Sequence, residues 1–488
     1  MNAGKDAGLT SLLAEAVSDP APTKIAVLMA RLARLDGPGW LRLDESARNP
    51  YAGPSLLEAA RRWRLALASG DDPASVIAAS MYRDGRVREA AVAVLAGMPE
   101  PAAAAALAVR AADWVPEVRA AAQDALACRT GPEDAAVVIP VLLALGQRHR
   151  GRQAAAGYLA SVAAGPAATL EDLARPGDRA RRLWALEALG ARRLLHDGGL
   201  TARAVRDPDP VVAVWCARWL ARPDGVLPPE AGLRLLGSAR AAVRAFAASH
   251  LSDGHLTTQM LRGLLLDRSA AVRSVARWRW TRRHGEPGPF YRTALEAATR
   301  PSQVAAALLG LDDERDGTLP AVAVPFLSHP SPAVRRAAAH AVGHHASADD
   351  VLRHLVPLLA DDSAKVEATA LRYLRGYTLP DSVLASLDAA GTARSRRTAL
   401  SIRQRSGTWN RVHADLTAVS GDDPDLAETA RADLLNWLRH GAATAYGKPS
   451  PPQAEEIAAL LATPKLSPRE RRNIAFVAGI PMPAAVNA

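Results

Sequence analysis

The sequence predicts an all-α protein, an α-solenoid (superhelix) of about twelve helix-turn-helix repeats, and two observations predict it. The pair Val-Arg, set among small apolar residues, returns about every 31 positions: Val87-Arg88, Val118-Arg119, Val243-Arg244, Val272-Arg273 and Val334-Arg335. A period between about 20 and 50 residues marks a stacked-repeat architecture, whose units bury their apolar faces only against their neighbours. The composition agrees, because Ala and Leu are abundant while the 488 residues hold only 4 Phe and 7 Tyr, which favours helix over strand.

With the Val of Val-Arg as position zero, the series runs Val87, Val118, Gly151, Arg181, Val212, Val243, Val272, Val304, Val334, Val366, Arg396 and Ala427, in steps of 29 to 33 residues. Offset three holds residues such as Ala90, Trp184, Trp215 and Phe246, and offset eight holds Leu95, Leu126, Leu159, Leu189, Leu220, Leu251, Trp280, Val342, Leu374 and Leu435. Offsets zero, three, four, seven and eight share one face of a helix, so each unit carries one buried helix with an apolar stripe. A second helix precedes it, as in 138–145 and 352–359. Between the two lie polar turns, Asp207-Pro-Asp-Pro210, Asp267-Arg-Ser269 and Asp361-Asp-Ser363, whose Asp and Ser side chains suit the free amides of the next helix.

This order of an Asp-bearing turn, Val-Arg, small residues and a Leu resembles the HEAT repeat family, in particular its HEAT-like or PBS-lyase-type variant, over roughly residues 80–440. The resemblance implies paired helices whose second members line a concave face. It implies no single activity, since the family includes scaffolds, adaptors, lyases, hydroxylases and DNA glycosylases. Residues 1–79 read as an amino-terminal helical cap, with helix up to Asp36 and a Gly/Pro loop from Gly37 to Pro54; residues 441–488 read as a loop and a carboxy-terminal helical cap. The acidic stretch 312–319 interrupts the repeat that begins at Val304.

Several classes are disfavoured. Two distant cysteines, Cys128 and Cys216, without Cys-x-x-Cys, suit neither a disulfide framework nor a cysteine zinc site and fit a reducing cytoplasm. The start lacks the basic-then-apolar order of a signal peptide, and the apolar run 135–146 is too short for a bilayer, so no membrane partner is expected. Neither a phosphate-binding Gly-rich loop nor a Gly-x-Ser-x-Gly elbow is present. His340 and His344, beside His345, Asp349 and Asp350, have helical spacing for two imidazoles and a carboxylate, but without His-Glu-x-x-His or a second matched pair they read as a polar helix end. No catalytic residue, metal or cofactor is assigned.

Charge points to one region. Residues 201–300 hold 16 Arg against 8 acidic residues, most of the +10 carried by the whole chain. The recurrent arginines Arg88, Arg119, Arg152, Arg182, Arg244, Arg273 and Arg335 border the apolar stripe and are expected to tie repeats together through the turn aspartates. The densest cluster is 276–284, where Trp280 takes the core offset, as Trp184, Trp215 and Trp219 also do. Trp278, at offset six, points away from the stripe, flanked by Arg277, Arg279, Arg282 and Arg283. The same outward offset holds Arg218, His340 and Arg372, and in earlier repeats Asp124 and Glu187. Arg218, Arg277, Trp278, Arg279, Arg282, Arg283, His340 and Arg372 are the candidate partner-binding set. The function expected is a non-catalytic scaffold or adaptor holding a protein partner along its concave face. The alternative is a nucleic-acid-binding solenoid that uses 201–300, either a backbone binder or a protein similar to the HEAT-like DNA glycosylases of the AlkD type.

Overall fold

The computed structural model describes residues 21–48, 72–147, 149–462 and 465–481, together with Leu13, Glu15 and Leu67. Among these, every regular element is helical, 28 α-helices with short 3-10 turns. Twelve α-helices carry the aligned zero positions, and in each that residue is the third or fourth of the helix, from Gly85–Gly97 to Pro424–His440. Each is preceded by a partner helix, from Pro73–Ser80 to Thr408–Ser420. The chain is an α-solenoid of HEAT-like helix pairs. Among the described residues, the helices Pro22–Leu32 and Gly37–Ala47 precede these pairs, and Pro451–Leu461 and Pro468–Ala478 follow them.

The local sequence accounts for the helix starts. Proline opens many of the second helices, for example Pro116–Ala127, Pro210–Trp219 and Pro332–His345, where its missing amide costs no intrahelical bond. Asp209 caps the amides of Val211 and Val212, at 2.8 and 3.4 Å. The turn aspartates Asp267 and Asp361 act one step earlier than the sequence suggests. Their carboxylates accept from the Ser269 and Ser363 amides inside the turn, both at 2.8 Å, and neither serine side chain caps its helix.

The helices form two compact units, residues up to Leu256 and residues from Thr257, a division that the Val-Arg period does not mark. In the first unit, Gly37-Pro-Gly39 is not part of a loop but the first turn of the helix Gly37–Ala47, with Asp36 accepting from the Gly39 amide at 2.7 Å. That helix packs on Pro101–Arg110 and Pro132–Leu145. A Cβ at residue 37 would sit 2.0 Å from the Pro140 carbonyl oxygen, so only glycine allows the contact. The remaining predicted loop residues, Pro50, Gly53 and Pro54, lie outside the described residues. In the second unit, the final pair Pro451–Leu461 and Pro468–Ala478 packs on the preceding helices through Ile457, Leu461 and Ile474.

The stripe is buried at the zero offset in most repeats, with Val118, Val212, Val243, Val272, Val334 and Val366 all at 0% exposure, but offset three does not follow it: Ala90 is exposed and Trp184, Trp215 and Phe246 are half-buried. Two repeats slip by one residue, burying Tyr158 in place of Leu159 and Leu434 in place of Leu435. Both begin without Val at zero. At Gly151 a Cβ would fall 1.9 Å from the Leu145 carbonyl oxygen, so the helices cross too closely for a side chain. Trp219 is also displaced from its expected core role. It lies over Gly190 of the preceding repeat and stacks on Trp215 with centroids 4.8 Å apart, which leaves it 44% exposed.

Several of the recurrent arginines join successive repeats. Arg88 is fully buried and grips Asp113 of the next turn bidentately, Nε to Oδ2 at 3.0 Å and Nη2 to Oδ1 at 2.9 Å, while Nη1 donates to the Tyr82 carbonyl at 2.9 Å. Asp113 Oδ1 also accepts from the Val115 amide at 3.0 Å. The arrangement returns with Arg182 on Asp207 and with Arg335 on Asp361, the latter at 2.7 and 2.8 Å. Arg396 reaches Asp423 from the zero position rather than the one after it, Nε and Nη2 both donating to Oδ2 at 3.0 and 2.7 Å. Arg119, Arg244 and Arg273 hold the carbonyl six residues back, at 2.7, 2.8 and 3.0 Å. Arg152 departs from the pattern and is exposed, in the repeat whose preceding turn carries no aspartate.

Two stability predictions follow from these buried carboxylates. Arg88→Met removes the bidentate partner of the buried Asp113 and leaves it with Arg110, 3.1 Å away, and the Val115 amide; it should cost about 1.5–3 kcal/mol, read as a lower urea midpoint, with the companion Asp113→Asn exchange adding little further loss. Burial raises the Asp113 and Asp361 carboxyls, but Arg88 with the Val115 amide, and Arg335 with the Ser363 amide, hold both below the ordinary aspartate value. Their contribution is therefore complete above that ordinary value and disappears as pH falls through the lower folded values.

Asp415 behaves oppositely. It is at 0% exposure, and burial outweighs the Gln404 hydrogen bond and, with Asp433 beside it, pushes its carboxyl up to about 8. Folding then takes up a proton between the ordinary aspartate value and about 8, so stability falls as pH rises through that window. Asp415→Asn should raise the melting temperature at pH 8 and leave it nearly unchanged at pH 4, measured by circular dichroism.

Candidate functional site

The helix Ala270–His284 in the second unit sorts the predicted cluster by phase. Trp280 is 8% exposed, packed on Phe290 and His284 with centroids 5.2 and 4.4 Å away. Trp278 is 56% exposed, and the Arg282 guanidinium lies 4.9 Å from its ring centroid in a cation–π contact. Arg279 is corrected to a buried position at 8% exposure. Arg277 is half-buried and engaged, 2.7 Å from Asp313 and 3.2 Å from Glu314. Arg283 is half-buried and Arg282 exposed.

The acidic stretch that interrupts the Val304 repeat supplies the counter-charge. Asp313 meets both Arg273 and Arg277 at 2.7 Å, and Asp316 pairs with Arg292. Arg292 aside, these contacts are sheltered from water. The basic excess of 201–300 is thus partly answered by residues that follow it, and the cations nearest the helix core are not open to an external phosphate.

The other outward positions divide between the units. Arg218 in the first unit is exposed, as are Asp124 and Glu187; Arg372 in the second is exposed. His340 is only half-exposed and is not a basic surface group. Its Nδ1 is hydrogen-bonded to the Tyr373 hydroxyl, and burial, partly opposed by Asp312, pushes its imidazole below the ordinary histidine value. His344 and His345 do not meet Asp349 or Asp350; Asp350 caps its own helix with Ser347 and pairs with Arg353. Their carboxylate is Asp312, 3.0 Å from His344 Nδ1 and 3.0 Å from His345 Nε2.

Sequence phase did not single out several exposed aromatics. Trp114, in the turn before Pro116–Ala127, is 61% exposed with Arg88 5.5 Å from its ring centroid, and Tyr446 and Phe476 are 95% and 86% exposed. Trp114 follows the ladder residue Asp113, and that adjacency was the signal available for it. A groove of about 950 Å³ lies in the second unit between 393–403 and the helices 408–420 and 424–440, with Leu400 and Leu426 in its wall. Both arginines of its wall are paired, Arg396 with Asp423 and Arg403 with Asp388 at 2.7 and 2.6 Å. Among the described residues no helix is long and apolar enough to cross a membrane.

No family model matches the sequence, and no curated protein matches it. Among solved structures, a chain of the Kap95p complex with RanGDP is similar over 98% of this chain and 67% of that one, at 13% identity and a TM-score of 0.30. A chain of the Pds5–Scc1 complex is similar over 90% and 77%, at 10% identity and a TM-score of 0.22. A chain from a structure of tubulin recruitment by microtubule polymerases with TOG domain arrays is similar over 80% and 99%, at 11% identity and a TM-score of 0.22. At such scores the fold assignment rests on the helix pairs and the ladder between them.

The phase assignment separates the two neighbouring indoles in a measurable way. Trp280→Ala should cost about 3–5 kcal/mol through the cavity it leaves, whereas Trp278→Ala should stay within about 0.5 kcal/mol of the parent, both from urea unfolding.

Proposed function

We propose that the chain is a non-catalytic HEAT-like scaffold or adaptor that holds a protein partner on the face presented by its second helices, with Trp278 as an anchor. The observation that carries this reading is an indole 56% exposed on a helix whose opposite face is packed, while neighbouring guanidiniums are committed to Asp313 and Glu314. A rigid aromatic offers large contact area at small entropic cost, the property of binding hot spots. A phosphate backbone instead draws its affinity from cations that release counterions, and an internally paired cluster supplies fewer of them. In this reading Arg282 and Arg372 belong to the polar rim, residues 1–79 and 441–488 close the ends of the array as caps, and the two free cysteines suit the cytoplasm.

The test is capture from a nuclease-treated extract of the native host by the full chain and by Trp278→Ala. A discrete protein retained by the parent and weakened at least tenfold in the variant, with little change between about 50 and 200 mM salt, is the expected result. Capture of nucleic acid with affinity falling about a thousandfold over that salt range would overturn the protein reading in favour of backbone binding.

A further inference from the structure

The carboxy-terminal ends of two second helices in the second unit, Pro301–Asp313 and Pro332–His345, meet through Asp312, His344 and His345. We propose that these three side chains form a binding site for a divalent transition metal of the zinc type, a site independent of the Trp278 surface. The ligand atoms, one oxygen and two ring nitrogens, all lie within 4.8 Å of one another, and the Asp312 Oδ1 is 3.0 Å from each nitrogen. Around zinc, with bonds of about 2.0–2.2 Å, tetrahedral neighbours stand about 3.4 Å apart, so the Asp312 oxygen shifts by a few tenths of an ångström from each nitrogen, while the two ring nitrogens, within 4.8 Å of each other, close by up to about 1.4 Å through side-chain rotation.

The charge balance of the fold supports the assignment. The buried ladder aspartates Asp113, Asp207 and Asp361 each meet a guanidinium. Asp312 is equally buried, at 8% exposure, yet among the described residues its ion-pair partners are the two imidazoles. With both rings neutral the cluster carries one negative charge in a sheltered place, which a divalent cation neutralises. Two imidazoles and one carboxylate select zinc, cobalt or nickel over magnesium or calcium, which prefer all-oxygen shells.

The surroundings hold the ligands in place. Tyr373 lies edge-on to the His344 ring with centroids 5.2 Å apart, and His340 packs against the same ring at 4.3 Å while bonded to the Tyr373 hydroxyl. Gly343 makes room for Tyr373, whose ring would stand 2.3 Å from any Cβ there. His340 and Tyr373 are thus positioning residues. The His344 side chain is 46% exposed, so the ion is reachable and keeps a coordination position toward water.

Tag-free full-length protein, stripped with a chelator, is titrated with zinc(II) alone in a calorimeter, with magnesium(II) as control. Uptake of one equivalent with a Kd on the order of micromolar or tighter is expected, with none for magnesium. The double variant His344→Ala/His345→Ala should lose the site, and His340→Ala should weaken it about tenfold. Cobalt(II) should give visible d–d bands in the parent that are absent from the double variant. Circular dichroism confirms that each variant is folded, and Asp312→Asn serves as a second ligand variant. No stoichiometric uptake by the parent, or equal uptake by the folded double variant, would overturn the proposal.

Discussion

At several junctions the stack is held by one recurring contact, an arginine after the zero position of one repeat closing on the turn aspartate of the next, as in Arg88–Asp113, Arg182–Asp207 and Arg335–Asp361. In a solenoid each unit touches only its neighbours, so whatever sets the register between two adjacent units sets it for the array. Apolar burial alone is poorly suited to that task, because an alanine-rich stripe slides at little cost. The Arg88–Asp113 contact is directional at both ends: two nitrogens meet two carboxylate oxygens, a third holds the carbonyl of Tyr82, and Asp113 binds the Val115 amide. One ion pair therefore fixes a turn, a helix start and the offset between two repeats. The cost of burying charge is offset because the guanidinium and carboxylate find partners for most of their hydrogen-bonding capacity.

The same contact explains the charge pattern of the chain. An Arg-rich sequence suggests a polyanion partner, yet the ladder arginines point into the stack. An external phosphate would have to displace an intramolecular carboxylate already desolvated against them, which it does only by restoring that carboxylate to water. The acidic stretch after Leu311 extends the principle to the helix Ala270–His284, where Asp313 and Glu314 take up Arg273 and Arg277. What looks in sequence like an interruption of one repeat is the counter-charge of another.

Helix phase was legible from sequence because it depends on residues close together in the chain. All twelve zero positions fall in the first turn of a helix, and the 0% exposure of Val118, Val212, Val243, Val272, Val334 and Val366 follows from the stripe they begin. Phase also separates Trp280 from Trp278. It assigned Trp219 to the core, which the structure corrects: a tryptophan lying over Gly190 of the previous repeat depends on a residue 29 positions away, and that pairing leaves part of the ring in water. The helix Gly37–Ala47 was read as loop since Gly and Pro are ordinarily breakers, whereas here proline occupies a first-turn position and glycine admits the Pro140 carbonyl.

The histidine cluster shows most clearly where local reading ends. His344 and His345 were visible as a polar helix end, and the nearest carboxylates along the chain, Asp349 and Asp350, were the natural candidates beside them. In a stacked array, however, residues at the end of one second helix meet the end of the neighbouring second helix, about one period away. Asp312 lies 32 residues before His344, close to the spacing by which the whole architecture repeats. The chemistry of a solenoid is therefore best sought by aligning equivalent ends of successive repeats. On that alignment Asp312 occupies the place of a charged helix end that faces its neighbour, and its partners are imidazoles where the ladder elsewhere supplies arginine.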